Sequence, residues 1–141
     1  MQREATAVWQ GDLRAGKGAL STASGVLRET KYSFSTRFEN GVGTNPEELL
    51  AAAHAGCFTM ALSARLGAAG LTAERLETRC TLTLDKVGDG FSITRSHLEV
   101  TGRVPGAAQA KFDAAVKEAE TGCPVSKLFK ADISVSARLD N

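Results

Sequence analysis

The chain has little of what marks several common protein classes, and these shortages narrow its function. Its 141 residues carry 17 Lys and Arg against 16 Asp and Glu, which gives a net charge of +1. The sequence has no cluster of Lys and Arg that could neutralise the phosphates of a nucleic acid, so we expect no nucleic-acid partner. The sequence also lacks a Gly-rich phosphate-binding loop, a zincin motif and a Ser–His–Asp constellation.

Signals for export and for membrane insertion are missing as well. The N-terminus, MQREATAVWQ, has no apolar stretch typical of a signal peptide. The longest apolar segment is interrupted by His54 and by Glu residues, so we expect no segment that crosses a bilayer. These features predict a cytoplasmic protein with no membrane association.

Cysteine and histidine are scarce, at three and two residues. An odd number of Cys in a reducing compartment argues against a disulfide framework, so each thiol is either a packing residue or a catalytic one. His54 and Cys57 share a helical face, a spacing that suits a metal or a Cys–His nucleophile pair. Since the chain offers no second ligand pair, we expect no metal. A buried His54, hydrogen-bonded to a backbone carbonyl, is the simpler interpretation.

The first half of the chain predicts a small sheet followed by a long helix. Residues 1–40 contain three turn signals around Gly11, Gly16 and Ser24, which indicates a meander of three short strands, with Arg37 on a strand. Asn45 is suited to the N-cap, followed by Pro46 and, at the third helical position, Glu48. We expect the helix to run from there to about Gly70.

This helix is apolar on nearly every face between Leu49 and Leu62, apart from His54 and Thr59. Helices of this kind are buried on all sides. A domain of 141 residues hardly covers such a helix alone. The pattern therefore suggests a dimer.

The second half predicts a hairpin over residues 76–104, turning at Gly88-Asp89-Gly90. A helix over 107–120, a short helical turn opened by Cys123-Pro124 and a strand over 133–139 follow. The element order of three strands, helix, two strands, helix, helical turn and strand predicts an α+β protein. We expect one domain, residues 1–141.

Two of the three cysteines are candidates for chemistry. Cys57 lies in the apolar helix, where a packing role is equally reasonable. Cys123 precedes the predicted helical turn, and a helix N-terminus stabilises the reactive thiolate. Cys80 alternates in phase with Leu82 and Leu84, which favours a place in the core.

A thiol buried in an apolar helix needs a nearby cation to ionise, because burial raises its pKa. Arg37 could be that cation, and Glu47 could hold it in a bidentate pair. An arginine and a glutamate at such positions are ordinarily surface residues. The residue pattern alone does not decide between a surface role and a catalytic role for Arg37 and Glu47.

Two motifs resemble the OsmC/Ohr family of hydroperoxide peroxidases. They are Gly-Thr-Asn-Pro-Glu-Glu-Leu-Leu-Ala-Ala-Ala-His-Ala-Gly-Cys-Phe, residues 43–58, and Gly-Cys-Pro-Val-Ser, residues 122–126. The resemblance covers essentially the whole chain. Early motifs such as Trp9-Gln-Gly-Asp and Thr36-Arg-Phe-Glu are more similar to the OsmC branch than to the Ohr branch.

The resemblance implies an intertwined, swapped α+β homodimer with active sites at the subunit interface. It assigns Cys57 as the peroxidatic thiol, Cys123 as the resolving thiol, and Arg37 and Glu47 as their catalytic partners, whereas Cys80 matches no family motif. It implies no haem, flavin or metal. The substrate would be an organic hydroperoxide and the reductant an external dithiol, such as a lipoylated protein. A non-catalytic osmotic-stress or ligand-binding protein and a thiol redox sensor are the alternatives.

Overall fold

The computed structural model describes residues 1–141, and the chain divides into two units, residues 1–49 and 50–141. The first unit is built on an antiparallel sheet of three strands, β1 (Ala5–Gln10), β2 (Lys17–Thr22) and β3 (Thr30–Tyr32), in the order β1-β2-β3. The predicted meander is therefore confirmed. Trp9 on β1 packs against Tyr32 on β3, with their ring centroids 5.4 Å apart.

The segment after β3 differs from the prediction. Arg37 lies in a five-residue helix, α1 (Phe34–Phe38), so its placement on a strand was wrong. Ser33 and Thr36 form a capping box, in which each side chain binds the backbone N–H of the other. Phe34 and Phe38 stack one helical turn apart, at 4.9 Å between centroids. These local contacts, which the spacing of the turn signals does not reveal, make the segment helical.

The long helix α2 (Pro46–Ala68) begins and ends where the sequence predicts. Asn45 accepts a hydrogen bond from the backbone N–H of Glu48 through Oδ1, at 2.8 Å. Gly70 has a φ of +75°, and the N–H of Leu71 donates to the carbonyl of Leu66 at 2.9 Å. Both ends of the helix therefore carry the backbone contacts expected of caps.

Within a single chain α2 is buried along one face only, and its burial on all sides by a second chain stays a prediction. Its buried residues are spaced four apart and form a single stripe: His54, Phe58, Leu62 and Leu66. A different face, which includes Ala53, Gly56 and Met60, is exposed, and Met60 is 76% exposed. A large share of the apolar surface of α2 is therefore uncovered in the single chain.

The expectation that no segment is long and apolar enough to cross a membrane is also wrong. By length and composition α2 meets that criterion, because its acidic residues are confined to the first turn and His54 alone does not interrupt it. Core helices of soluble proteins meet the same criterion, so it is weak evidence of a membrane span.

The second unit contains a mixed three-stranded sheet, in the order β4 (Arg75–Val87), β5 (Gly90–Arg103) and β6 (Asp132–Leu139). The predicted hairpin is the antiparallel β4–β5 pair, and β6 runs parallel to β5. Two helices connect β5 to β6, namely α3 (Gln109–Gly122) and α4 (Pro124–Leu128). Residues of α2, β5 and α3 form the core, including Phe58, Leu62, Leu98, Val100 and Phe112.

Candidate active site

Two of the predicted site residues, Cys57 and Cys123, meet in the second unit. Cys57 is half-buried in the middle of α2, and Cys123 is fully buried where α3 ends and α4 begins. Their sulfur atoms lie 2.9 Å apart although the residues are 66 positions apart in sequence. Both are free thiols at a distance from which a disulfide could form with a small movement.

The net effect of the surroundings is to raise the pKa of one thiol and to lower the pKa of the other. Burial, with a contribution from the neighbouring Cys123, raises the pKa of Cys57. Burial also acts to raise the pKa of Cys123. The neighbouring Cys57 thiol and the polar groups of Ser126 outweigh the effect of burial and lower the pKa of Cys123. Within one chain, Cys123 is therefore the more acidic thiol, and Cys57 needs a further cationic partner to ionise readily.

Arg37 and Glu47 form a second pair, in the first unit. Nε of Arg37 donates to both carboxylate oxygens of Glu47, at 3.0 and 3.1 Å, and Nη2 donates to Oε1 at 2.6 Å. The carboxylate is largely buried, with 14% of the Glu47 side chain exposed against 38% of the Arg37 side chain. This fork fixes the guanidinium in one orientation.

An apolar cavity of about 260 Å³ lies beside this pair in the first unit. Arg37 lines it, together with Pro46 at the start of α2. Most of its wall is aromatic or aliphatic, with one serine: Trp9, Leu13, Tyr32, Ser33, Phe34 and Phe38. The cavity can receive a small apolar group next to a fixed positive charge.

His54 is fully buried, as predicted, but its hydrogen-bond partners are not a backbone carbonyl. Nδ1 lies 2.7 Å from Oγ of Ser96 on β5, and Nε2 lies 2.8 Å from Oγ of Ser126 on α4. The ring also contacts the edge of Phe129, at 5.0 Å between centroids. Burial lowers the pKa of His54, so its neutral form is favoured in the folded protein.

Cys80 packs against the core, as its alternating pattern predicts, and it also has polar neighbours. Its sulfur lies 3.4 Å from Oγ of Ser96 and 4.0 Å from Nδ1 of His54. Burial raises the pKa of Cys80 despite the hydrogen bond to Ser96, which favours its protonated form.

Comparison with known proteins relates this geometry to one family. A profile of the family described as OsmC-like protein matches residues 38–138. Peroxiredoxin OsmC of Escherichia coli (strain K12) is 48% identical over 139 residues, which cover 99% of this chain and 97% of that protein. The chain belongs to the OsmC-like family.

Two further similarities extend to the Ohr branch. The organic hydroperoxide resistance protein of Xanthomonas axonopodis pv. citri (strain 306) is 31% identical over 100 residues, which cover 70% of this chain and 68% of that protein. The crystal structure of the organic hydroperoxide resistance protein OhrB of Bacillus subtilis matches with a TM-score of 0.68 and 27% identity, covering 97% of this chain and 98% of that one. These matches confirm the predicted family and the α+β class.

The OsmC-like chain thus brings its four predicted site residues together as two pairs, Cys57 with Cys123 and Arg37 with Glu47. Each pair lies within its own unit, the thiols in residues 50–141 and the ion pair in residues 1–49. The roles that the family resemblance assigns to these residues stay predictions.

Sequence reasoning missed two polar residues, Ser96 and Ser126, which bind the two ring nitrogens of His54. Ser96 shares the buried face of β5 with Leu98 and Val100. A serine on the apolar face of an alternating strand was a signal that a buried polar partner exists. Ser126 follows Cys123 by three residues at the start of α4, a spacing at which a side chain can reach back to the thiol.

Proposed function

We propose that the chain is a thiol peroxidase that reduces organic hydroperoxides, with Cys57 as the peroxidatic and Cys123 as the resolving residue. The observation that carries this proposal is the 2.9 Å separation of the two sulfurs. Sequence similarity to a protein named peroxiredoxin, and to one named for organic hydroperoxide resistance, supports organic hydroperoxides as the substrate class.

The proposed reaction needs two sulfur steps. The Cys57 thiolate attacks the distal oxygen of the hydroperoxide, the O–O bond breaks, and the alkoxide leaves as the alcohol after taking a proton. Cys57 is then a sulfenic acid. The Cys123 thiolate attacks this sulfur, the S–O bond breaks, and the hydroxide takes a proton and leaves as water. An external dithiol, with a lipoylated protein as the candidate, reduces the disulfide by exchange.

Arg37 is the proposed source of the positive charge that Cys57 lacks. Burial raises the pKa of Cys57, and a guanidinium favours the thiolate without itself losing a proton. Glu47 holds that guanidinium through its two carboxylate oxygens. In this role the ion pair also stabilises negative charge on the reacting oxygens as the O–O bond breaks.

The spacing along α2 argues that each site draws on two subunits. Glu47 and Cys57 are ten residues apart on one helix, which separates their backbones by about 15 Å. One arginine held by Glu47 cannot easily reach Cys57 of the same helix across that distance. We therefore propose a homodimer in which the Arg37–Glu47 pair of one subunit serves Cys57 of the other.

The exposed face of α2 supports this dimer. Ala52, Ala53 and Gly56 present little side-chain bulk there, and Met60 is 76% exposed. Small residues allow close packing of a second helix, and burial of an apolar face stabilises association. The intertwined, swapped arrangement that the resemblance implies, with residues 1–141 acting as one domain, would cover this face.

The apolar cavity beside Arg37 supports an organic substrate over hydrogen peroxide. Each methylene group buried there contributes about 0.8 kcal/mol, so two would favour an alkyl hydroperoxide roughly tenfold. Since the reaction starts from a free thiol, the proposal places the protein in a reducing compartment such as the cytoplasm.

Steady-state turnover with a dithiol reductant tests the proposed function. We expect cumene hydroperoxide to be reduced with a kcat/KM at least about tenfold above that for hydrogen peroxide. Cys57→Ser should abolish both activities, with Cys80→Ser as the matched control that retains them. Absence of turnover in the wild-type protein would overturn the proposal and favour the ligand-binding or sensor alternatives.

A further inference from the structure

One side chain joins the end of α1 to the beginning of α2. Asn45 donates from Nδ2 to the backbone carbonyl of Thr36 at 3.1 Å, and its Oδ1 accepts from the backbone N–H of Glu48 at 2.8 Å. The first bond occupies a carbonyl near the end of α1, and the second occupies an N–H in the first turn of α2. Such groups have no partner within their own helix. All of these residues lie in the first unit, residues 1–49.

The two partners of Asn45 determine which way its amide faces. The backbone N–H of Glu48 can only donate and the carbonyl of Thr36 can only accept, so Oδ1 faces the first group and Nδ2 the second. Capping the helix needs only the oxygen, and aspartate or serine would supply one equally well. Neither could make both bonds, because a carboxylate has no donor and a serine side chain is too short to bridge the two groups. The position therefore uses both ends of an asparagine amide.

The two bonds of Asn45 lie beside the two members of the ion pair. Thr36 directly precedes Arg37 in α1, and Glu47 directly precedes Glu48 in α2. Each bond thus fixes the backbone next to one member of the pair. Because both bonds come from one side chain, they also fix the distance between the two backbones.

The first turn of α2 contains two acidic residues, and the one that pairs with Arg37 is Glu47. The carboxylate of Glu48 instead accepts from the hydroxyl of Thr44, at 2.8 Å. Adjacent residues of a helix point about 100° apart, so the rotation of this turn about its axis decides which carboxylate meets the guanidinium. The bond from Asn45 to the end of α1 fixes that rotation.

We infer that Asn45 is a positioning residue for Arg37, holding α1 and the first turn of α2 in the arrangement in which Glu47 binds Nε and Nη2 of the guanidinium. This inference rests on the proposed function, in which that guanidinium stabilises the Cys57 thiolate. Asn45 contacts no substrate and transfers no proton. Without the bond to Thr36 the cap on α2 remains, but the guanidinium is no longer held in one orientation.

Nitrogen-15 NMR of the arginine Nε–H groups tests the positioning without any peroxide. An Nε–H held in a fork exchanges slowly with water, and Arg37→Lys identifies the Arg37 signal by its disappearance. Asn45→Asp and Asn45→Ser both keep an oxygen at the N-cap, so the melting temperature should stay close to that of the wild-type protein. In both variants the Nε–H of Arg37 should exchange about fivefold faster, because one hydrogen bond that holds α1 to α2 is lost.

The matched control is Asn40→Asp, which adds the same charge at an exposed position of the same loop and should leave the exchange unchanged. Exchange at the wild-type rate in both Asn45 variants overturns the inference. A fall in melting temperature large enough to account for the faster exchange would indicate a merely structural role and would also contradict it.

Reaction with hydroperoxide provides a second readout. We expect Asn45→Ser to slow sulfenic acid formation with cumene hydroperoxide about fivefold. In an Arg37→Lys background the same substitution should cause no further slowing, because Asn45 acts only through that guanidinium. Additive losses in the double variant would contradict the inference. Failure of the wild-type protein to react with hydroperoxide would instead contradict the proposed function, and the exchange of the Arg37 Nε–H would still decide the inference.

Discussion

Arg37 holds Glu47 through two of its nitrogens, with Nη2 2.6 Å from Oε1 and Nε 3.1 Å from Oε2. Lysine has a single ammonium group and cannot reproduce this fork. We predict that Arg37→Lys slows sulfenic acid formation at least about tenfold while the protein stays folded. Stopped-flow competition for a limiting amount of hydroperoxide measures this step directly.

The control for that substitution is Arg14→Lys. The guanidinium carbon of Arg37 lies 5.2 Å from the ring centroid of Phe38, and that of Arg14 lies 5.3 Å from the ring centroid of Phe34. Arg14 does not line the cavity beside Arg37. Arg14→Lys should react at the wild-type rate. If Arg37→Lys forms sulfenic acid as fast as this control, a positive charge alone suffices for that step. The two-nitrogen contact with Glu47 would then not be needed for it.

Sites composed from two subunits should allow inactive variants to complement each other. Neither Cys57→Ser nor Glu47→Ala homodimers should turn over, because each lacks one half of both sites. Unfolding the two variants together and refolding them should produce heterodimers with one intact site each. Purified heterodimers, isolated through two different affinity tags, should then show about half of the wild-type activity. Inactive heterodimers would mean that Glu47 and Cys57 of the same chain work together.

A charge introduced on the exposed face of α2 should prevent association of the proposed dimer. Met60→Glu places a carboxylate on an apolar face that the proposed dimer buries, and an unpaired buried charge is strongly unfavourable. We predict a monomer with little peroxidase activity, detected by sedimentation velocity and turnover. Thr101→Glu, on an exposed position of β5, is the matched control and should leave both unchanged. A dimeric Met60→Glu protein would place the interface elsewhere.

The buried His54 should make stability depend on pH in a defined direction. Burial lowers its pKa in the folded protein below the ordinary value of 6.5, so below that pH the unfolded chain takes up a proton that the folded chain does not. The free energy of unfolding should therefore fall as pH drops from about 6.5 towards the folded pKa, by at most about 1.4 kcal/mol per unit. Above pH 6.5 this contribution stays constant.

Calorimetric melting of the wild-type protein and His54→Gln between about pH 7.5 and about pH 5.5 measures this effect, since other groups titrate equally in both. The wild-type protein should lose more stability than the variant over this range. Parallel curves for the two proteins would contradict the assignment of a neutral, buried His54.

Local signals predicted the fold well. The caps at Asn45 and Gly70 and the turn at Gly88-Asp89-Gly90 act through neighbouring backbone groups, so a few residues determine them. Helix α1 was missed because the strands of the first 40 residues were inferred from the turn signals around Gly11, Gly16 and Ser24, which say nothing about the residues after Tyr32. The capping bonds of Ser33 with Thr36 decide the conformation instead.

The site was predictable mainly through the family resemblance. Spacing alone cannot bring Cys57 to Cys123 across 66 residues, or His54 to Ser96 across 42. Those contacts depend on how α2 packs against the sheet and α4, which is a tertiary property. The apolar pattern of α2 likewise could not show which of its faces the chain itself covers.

The most direct test of the account follows one turnover in the wild-type protein. After addition of one equivalent of cumene hydroperoxide to the reduced protein, intact mass should show the loss of two hydrogen atoms, and cumyl alcohol should appear in equal amount. Peptide mapping should find the disulfide between Cys57 and Cys123, with Cys80 still a free thiol. In Cys123→Ser, the same treatment with excess hydroperoxide should leave Cys57 as a sulfinic acid. A disulfide that includes Cys80, or alcohol release that persists in Cys57→Ser, would contradict the account.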